Sequence, residues 1–178
     1  SIGKSTLDVI RKDKKNFEVI FLSANNNYKK LIQQAKEFNV KNVLIKNKIF
    51  YERTKRSLKN SKTKVYSGDI SITNIISKKL DYTMAAIVGV AGLQPTIDAI
   101  KISKTVALAN KESIICGWEI LSKLIKKYKT KILPVDSEHF SIMELTKDIS
   151  DEEVEEIIIT ASGGPFLNIP QNKLNYVK

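Results

Sequence analysis

Apolar positions along the chain recur with two spacings, short runs of strand length and longer stretches with the three-to-four spacing of amphipathic helices. The pattern predicts a helix from about Lys4 with Leu7 and Ile10 inward, then a strand over Phe17 to Leu22 (F-E-V-I-F-L). A helix over Tyr28 to Phe38 follows, with Leu31, Ile32, Ala35 and Phe38 on one face. Next come a short strand at Val43 to Ile45, a basic helix across Lys48 to Leu58, a strand at Lys64 to Tyr66 and a helix over Ile70 to Leu80. The run Met84 to Val90 (M-A-A-I-V-G-V) is apolar on both alternating faces, as expected of a central strand covered on each side. Beyond it the pattern predicts a helix at Pro95 to Ile102, a strand at Thr105 to Ala109, a helix over Glu112 to Tyr128 and a strand at Lys131 to Val135.

Repeated strand and helix units of this length imply right-handed crossovers and an α/β fold: a doubly wound, mostly parallel sheet with helices on both faces. After Pro134 the texture changes. Asp136-Ser137-Glu138-His139 is polar, Phe140 to Leu145 resumes as a short helix, and Ser150 with Glu153 fits a capping box opening the acidic turn Asp151 to Glu156. Glu156 leads into an expected strand at Ile157 to Thr160. A second α/β domain is therefore expected to begin at 136, giving domains 1–135 and 136–178.

Composition narrows the classes. Hydrophobic residues make up 42% and charged residues 28%, and no apolar run approaches the ~20 residues of a membrane-spanning helix. A single cysteine, Cys116, leaves no internal disulfide framework. The net charge of +11 would suit a nucleic-acid partner, but the excess is lysine spread over nearly every segment. Arginine occurs only as Arg11, Arg53 and Arg56, with no aromatic platform, so no nucleic-acid partner is expected. Ser1-Ile2-Gly3 reads as the end of a loop, and the chain is expected to be a segment of a longer protein whose first strand and any targeting peptide lie outside it.

In such a sheet, chemistry gathers beyond the carboxyl ends of the strands. The opening S-I-G-K-S-T-L-D-V-I has the form of a phosphate-binding turn running into its helix, or of a simple glycine cap. Where an NAD enzyme places a carboxylate, the second strand ends in Asn25-Asn26-Asn27 with Lys29 and Lys30 beyond; neutral amides and lysines favour NADPH, while an ordinary turn is the plain alternative. In Leu108-Ala109-Asn110-Lys111-Glu112-Ser113, Asn110 reads as a helix cap and Glu112 as a first-turn carboxylate, which leaves Lys111 unexplained. In Asp136-Ser137-Glu138, two carboxylates could chelate Mg²⁺ or Mn²⁺, or open a helix capped by Ser137. His139, the one histidine, reads as a hydrogen-bonding residue before a catalytic one. Thr160-Ala161-Ser162-Gly163-Gly164-Pro165-Phe166 fits either a phosphate cradle or a tight turn.

Taken in order and spacing, S-I-G-x-S-T-L-D-V-I, A-A-I-V-G-V-A-G-L-Q-P-T, L-A-N-K-E-S, L-P-V-D-S-E-H and T-A-S-G-G-P-F resemble the 1-deoxy-D-xylulose 5-phosphate reductoisomerase family from Ser1 to about Phe166. The resemblance implies a Rossmann-like domain and an enzyme that rearranges and reduces 1-deoxy-D-xylulose 5-phosphate to 2-C-methyl-D-erythritol 4-phosphate, in isoprenoid precursor synthesis, with NADPH and Mg²⁺ or Mn²⁺. It further implies Asp136 and Glu138 as metal ligands and catalytic groups with Lys111. Lys111, Ser137, Glu138 and Ser162 would contact the sugar phosphate, and Ser1, Ile2, Asn25, Asn26, Asn27, Asn110 and Glu112 the cofactor. A homodimer in a bacterial cytoplasm or a plastid such as the apicoplast is also implied. The chain departs from the family at Asn25 and Asn26, where a glycine and a lysine are common. The family's third carboxylate ligand, its substrate flap and its C-terminal helical domain are not in this sequence, so the segment alone is expected to be inactive. Another NADP-dependent sugar-phosphate dehydrogenase, with Lys111 as acid or base and Asp136-Glu138 as a cap, is the alternative within enzymes.

Overall fold

In the computed structural model, which describes residues 2–159, 169, 170, 172 and 173, short strands alternate with helices in the expected order. The chain divides into two compact units, Ser1–Val135 and Asp136–Lys178. The first unit opens with helix α1 (Ile2–Lys12), whose Leu7 is buried, followed by strand β1 (Phe21–Ala24) and helix α2 (Tyr28–Glu37). Leu31 and Ala35 of α2, one turn apart, seat in a core with Val40, Val43, Ile45 and Leu58. Asn39 takes the left-handed conformation at φ 50° just past α2, which asparagine tolerates. Strand β2 (Asn42–Ile45), a 3-10 turn at Lys48–Phe50 running into helix α3 (Tyr51–Ser57), and strand β3 (Lys64–Ser67) complete this half.

The other half of the unit contains β4 (Leu80–Ala85), α4 (Leu93–Ile102), β5 (Ser103–Leu108), α5 (Lys111–Tyr128) and β6 (Lys131–Pro134). Ala99, Ile100, Val106 and Leu121 form its core. All described ladders are parallel, in two three-stranded sheets ordered β1-β2-β3 and β4-β5-β6. The parallel α/β class is the one expected, but the pattern pointed to a single sheet. Among the described residues the outer edges of β1 and β4 have no ladder partner, and without a bridging strand two sheets cannot share hydrogen bonds.

In the first unit three elements differ from expectation. The first strand starts at Phe21, not Phe17, because its ladder runs only from Phe21 opposite Asn42 to Ala24 opposite Ile45; Phe17 is exposed. The helix expected over 70–80 is one 3-10 turn, Ile72–Asn74. Buried Asp98 accepts hydrogen bonds there from Ser71 Oγ at 2.7 Å and the Ile72 amide at 2.8 Å, while β-branched Ile72, Thr73, Ile75 and Ile76 disfavour helix extension. That releases Leu80 to open β4, which pairs with Ser103–Leu108 and ends at Ala85; it lies at a sheet edge, β5 is central, and Ile87, Val88 and Val90 are exposed.

The second unit contains helix α6 (Ser137–Thr146) and a 3-10 turn at Asp151–Glu153. Glu153 accepts from the Ser150 amide at 2.8 Å, as the capping-box reading requires. Residues 157–159 are in neither helix nor strand and are exposed, so the expected strand is not formed there; Thr160 lies outside the described residues. A strand needs a partner for its backbone groups, and the ladders of the described residues include none at these positions. No helix among the described residues is long and apolar enough to cross a membrane.

Candidate functional site

Asn25–Asn27 and Asn110–Glu112 sit where strands hand over to helices. At the end of β1, Asn27 caps α2, its Oδ1 accepting the Lys30 amide at 3.1 Å, so this residue serves the turn. The Asn26 Oδ1 accepts from Asn47 Nδ2 at 2.9 Å, and the Asn25 carbonyl accepts the Asn47 amide at 3.1 Å. Asn47 lies just past β2, so the ends of two neighbouring strands are joined through asparagines. Sequence reasoning missed it, although an asparagine before a helix is a legible cap signal; the link to Asn26 spans 21 residues.

At the end of β5, Asn110 is only 2% exposed and its side chain is fully engaged. Oδ1 accepts the Ser113 amide at 3.0 Å, capping α5, while Nδ2 donates to the Gly89 carbonyl at 2.9 Å and to the Ile87 carbonyl. Both N–H donors are thereby spent on the loop after β4. Gly89 holds φ 72° and ψ −172°, a region open essentially to glycine, and a Cβ on Gly92 would run into Asn110 Nδ2 and the Ile87 carbonyl. This Asn110 clamp is a further feature the pattern did not show, although A-A-I-V-G-V-A-G marked the segment.

Lys111 opens α5 and is exposed, Glu112 is half-buried, and Ser113 is buried with no partner for its hydroxyl. A cation at a helix N-terminus opposes the dipole by about 0.3–1 kcal/mol, which Glu112 in the same turn offsets. Ile2 begins α1 and is exposed; a Cβ on its neighbour Gly3 would lie 3.9 Å from Ala86 Cβ, so this end of the helix abuts the end of β4. Ser1 and Ser162, with the glycine turn around Gly163, lie outside the described residues.

In the second unit Asp136, not Ser137, caps α6. Its Oδ1 accepts the His139 amide at 2.9 Å and lies 2.6 Å from His139 Nδ1. Aspartate with extended backbone at ψ 155° reaches the third amide of the helix, which leaves Ser137 in its first turn, exposed. Burial pushes the Asp136 carboxyl up, but the His139 amide and imidazole together outweigh it and hold the group below its ordinary value. Glu138 is exposed in the first turn, two positions on, and residues so spaced do not face one another on a helix. Among the described residues no three His, Cys, Asp or Glu side chains gather as a metal cluster. In kind the pair suits a hard cation, since Mg²⁺ is commonly held by one or two carboxylates with water and substrate oxygens completing the shell.

Comparison with known proteins decides the family. The 1-deoxy-D-xylulose 5-phosphate reductoisomerase family matches residues 1–117, and its C-terminal domain matches residues 132–178. The chain belongs to that reductoisomerase family. A 1-deoxy-D-xylulose 5-phosphate reductoisomerase of Pelagibacter ubique is 50% identical over 99% of the chain and 46% of its own length. The Bacteroides fragilis reductoisomerase is 39% identical over 99% of the chain and 46% of its own length. Among solved structures, the Zymomonas mobilis reductoisomerase in complex with NADPH superposes with a TM-score of 0.88 at 40% identity, covering 96% of this chain and 45% of that one. Another, with fosmidomycin and magnesium, gives 0.82 at 29% identity over 100% of this chain and 47% of that one. The chain thus spans under half the length of these relatives, and its parallel α/β unit is that of the reductoisomerase NADPH-binding, Rossmann-like domain.

Proposed function

We propose that the protein carrying this chain is an NADPH- and divalent-cation-dependent enzyme that rearranges and reduces 1-deoxy-D-xylulose 5-phosphate to 2-C-methyl-D-erythritol 4-phosphate. Membership of the family across both units supports this most directly, and the likeness to an NADPH complex supports the cofactor. The residues fit an NADP group: the β1 end offers exposed asparagines and Lys29 with no carboxylate among Asn25–Asn27 to repel a 2′-phosphate. Bound NADPH supplies the hydride, and a bound cation supplies polarisation of substrate oxygens.

Within this reading Asn110 acts by shape, holding the loop after β4 for the cofactor to lie on; Ile2, Glu112 and, outside the described residues, Ser1 line the same binding region. Lys111, exposed at the α5 N-terminus, meets the substrate as a point charge. Asp136 and Glu138 hold the cation, Ser137 and Glu138 meet the substrate, and Ser162 belongs to its phosphate site. His139 orients the Asp136 carboxylate through its two hydrogen bonds. Residues 1–135 form the cofactor domain and 136–178 the opening of the catalytic domain. Manganese as an alternative cation and a homodimeric assembly complete the proposal; the bacterial relatives favour a bacterial cytoplasm over a plastid.

One observation favours the dehydrogenase alternative: Asp136 does cap α6, as a structural role requires. The test is metal-supported NADPH oxidation by the full-length protein with 1-deoxy-D-xylulose 5-phosphate. Turnover lost in Asp136→Asn and Glu138→Gln, with weaker Mn²⁺ binding, is the expected result. Unchanged turnover and Mn²⁺ affinity would reject the metal site.

A further inference from the structure

The hydrogen bonds around Asn47 assign it a task beyond capping. Ile49's amide, which can only donate, lies 3.0 Å from one end of the Asn47 side chain, so that end is Oδ1. The other end is therefore Nδ2, a pure donor, and it lies 2.9 Å from the Asn26 side chain. Asn26 must present Oδ1 to it, which turns the Asn26 Nδ2 and its two N–H groups the other way. Asn26 is exposed and Asn47 half-buried, so the fixed partner is the inner one. The backbone reinforces the arrangement, with Asn47 N–H donating to the Asn25 carbonyl at 3.1 Å and Lys46 N–H to the Ala24 carbonyl at 2.9 Å.

We infer that Asn47 is a positioning residue for cofactor specificity: it locks the Asn26 amide with its donor end outward, preset for the acceptor-only 2′-phosphate of NADPH. This rests on the NADPH reading above. A terminal amide otherwise has two broad orientations, one of which would offer its carbonyl to the phosphate. Locking it removes that choice and the ordering cost of one side chain, about a three- to tenfold effect on affinity. A substitution that keeps an oxygen for the Ile49 amide but cannot reach Asn26 separates the two roles of Asn47, and Asn47→Ser is such a change.

The probes are adenosine 2′,5′-bisphosphate and adenosine 5′-monophosphate, titrated calorimetrically into the full-length protein. In wild type the bisphosphate should bind more tightly. Asn47→Ser should reduce that preference about three- to tenfold while leaving monophosphate affinity within about twofold. In an Asn26→Ala background Asn47→Ser should reduce it no further, the mark of a residue acting through its neighbour. Asn47→Asp, a good cap that can only accept, should turn the Asn26 carbonyl outward and reduce the preference more than serine does; it decides the matter if the serine variant does not fold. An unchanged preference in both variants, or an equal loss with and without Asn26, overturns the inference. Absence of any 2′-phosphate preference in wild type would instead defeat the NADPH reading on which it stands.

Discussion

Asn110 shows how much one side chain can do when all its polar atoms are used. It caps α5 and ties down the carbonyls of Ile87 and Gly89, and Gly92 leaves it the room. Gly92→Ala is expected to displace the amide and cost about 1–3 kcal/mol in denaturant unfolding, with faster exchange of the Ser113 amide proton. Ser113 behaves oppositely: its buried hydroxyl has no partner, so Ser113→Ala should raise stability by about 1 kcal/mol, read as an increase in the unfolding midpoint. A lower midpoint would mean that the hydroxyl is satisfied in solution. The capping role of Asn110 was legible in L-A-N-K-E-S, because a cap is local. The clamp was not, since its partners lie 21 and 23 residues earlier. The reading of Ser137 as the α6 cap failed for a local reason too: an adjacent aspartate has the same reach and its backbone took the extended conformation first.

Helices end and meet through similarly small features. Lys129 closes α5 at φ 50° and ψ 43°, a left-handed conformation costing a lysine about 1 kcal/mol that glycine would not incur. Lys129→Gly should therefore stabilise the chain by about that amount in equilibrium unfolding. α1 meets α2 through Arg11, which binds both Glu37 of α2 and Asp8 of its own helix. The hydrogen bond from Arg11 is the main cause holding both carboxyls below their ordinary values. Groups depressed on folding stabilise above their unfolded values and lose that contribution as pH falls through the folded ones. The stability difference between wild type and Arg11→Met should accordingly be present at neutral pH, shrink below about pH 4, and shrink also with added salt. Helices over 28–38 and 112–128 were legible because their apolar stripes are long, whereas in the 70–80 segment Asp98, distant in sequence, holds the start of a single 3-10 turn and the β-branched residues after it oppose a longer helix.

Across the whole molecule, the residues proposed for the cofactor lie in the unit Ser1–Val135 and the carboxylate pair proposed for the metal in the unit Asp136–Lys178. Substitutions in one should then leave the other's binding largely intact. In the full-length protein, Asp136→Asn is expected to lower metal-supported turnover at least about tenfold while NADPH affinity, followed by fluorescence titration, moves less than about threefold. A matching loss of NADPH affinity would contradict this separation. By itself the sequence determined the parallel α/β class, most helices, the family resemblance and the residue types offered to cofactor and metal, because periodicity, caps and contiguous motifs are local. The tertiary structure decided where strands begin and end, which strand is central, that the described ladders form two sheets, and how Asn26 and Asn110 are oriented. Those follow from hydrogen-bond partners far apart in the chain, and only folding brings such partners within 3 Å or so of one another.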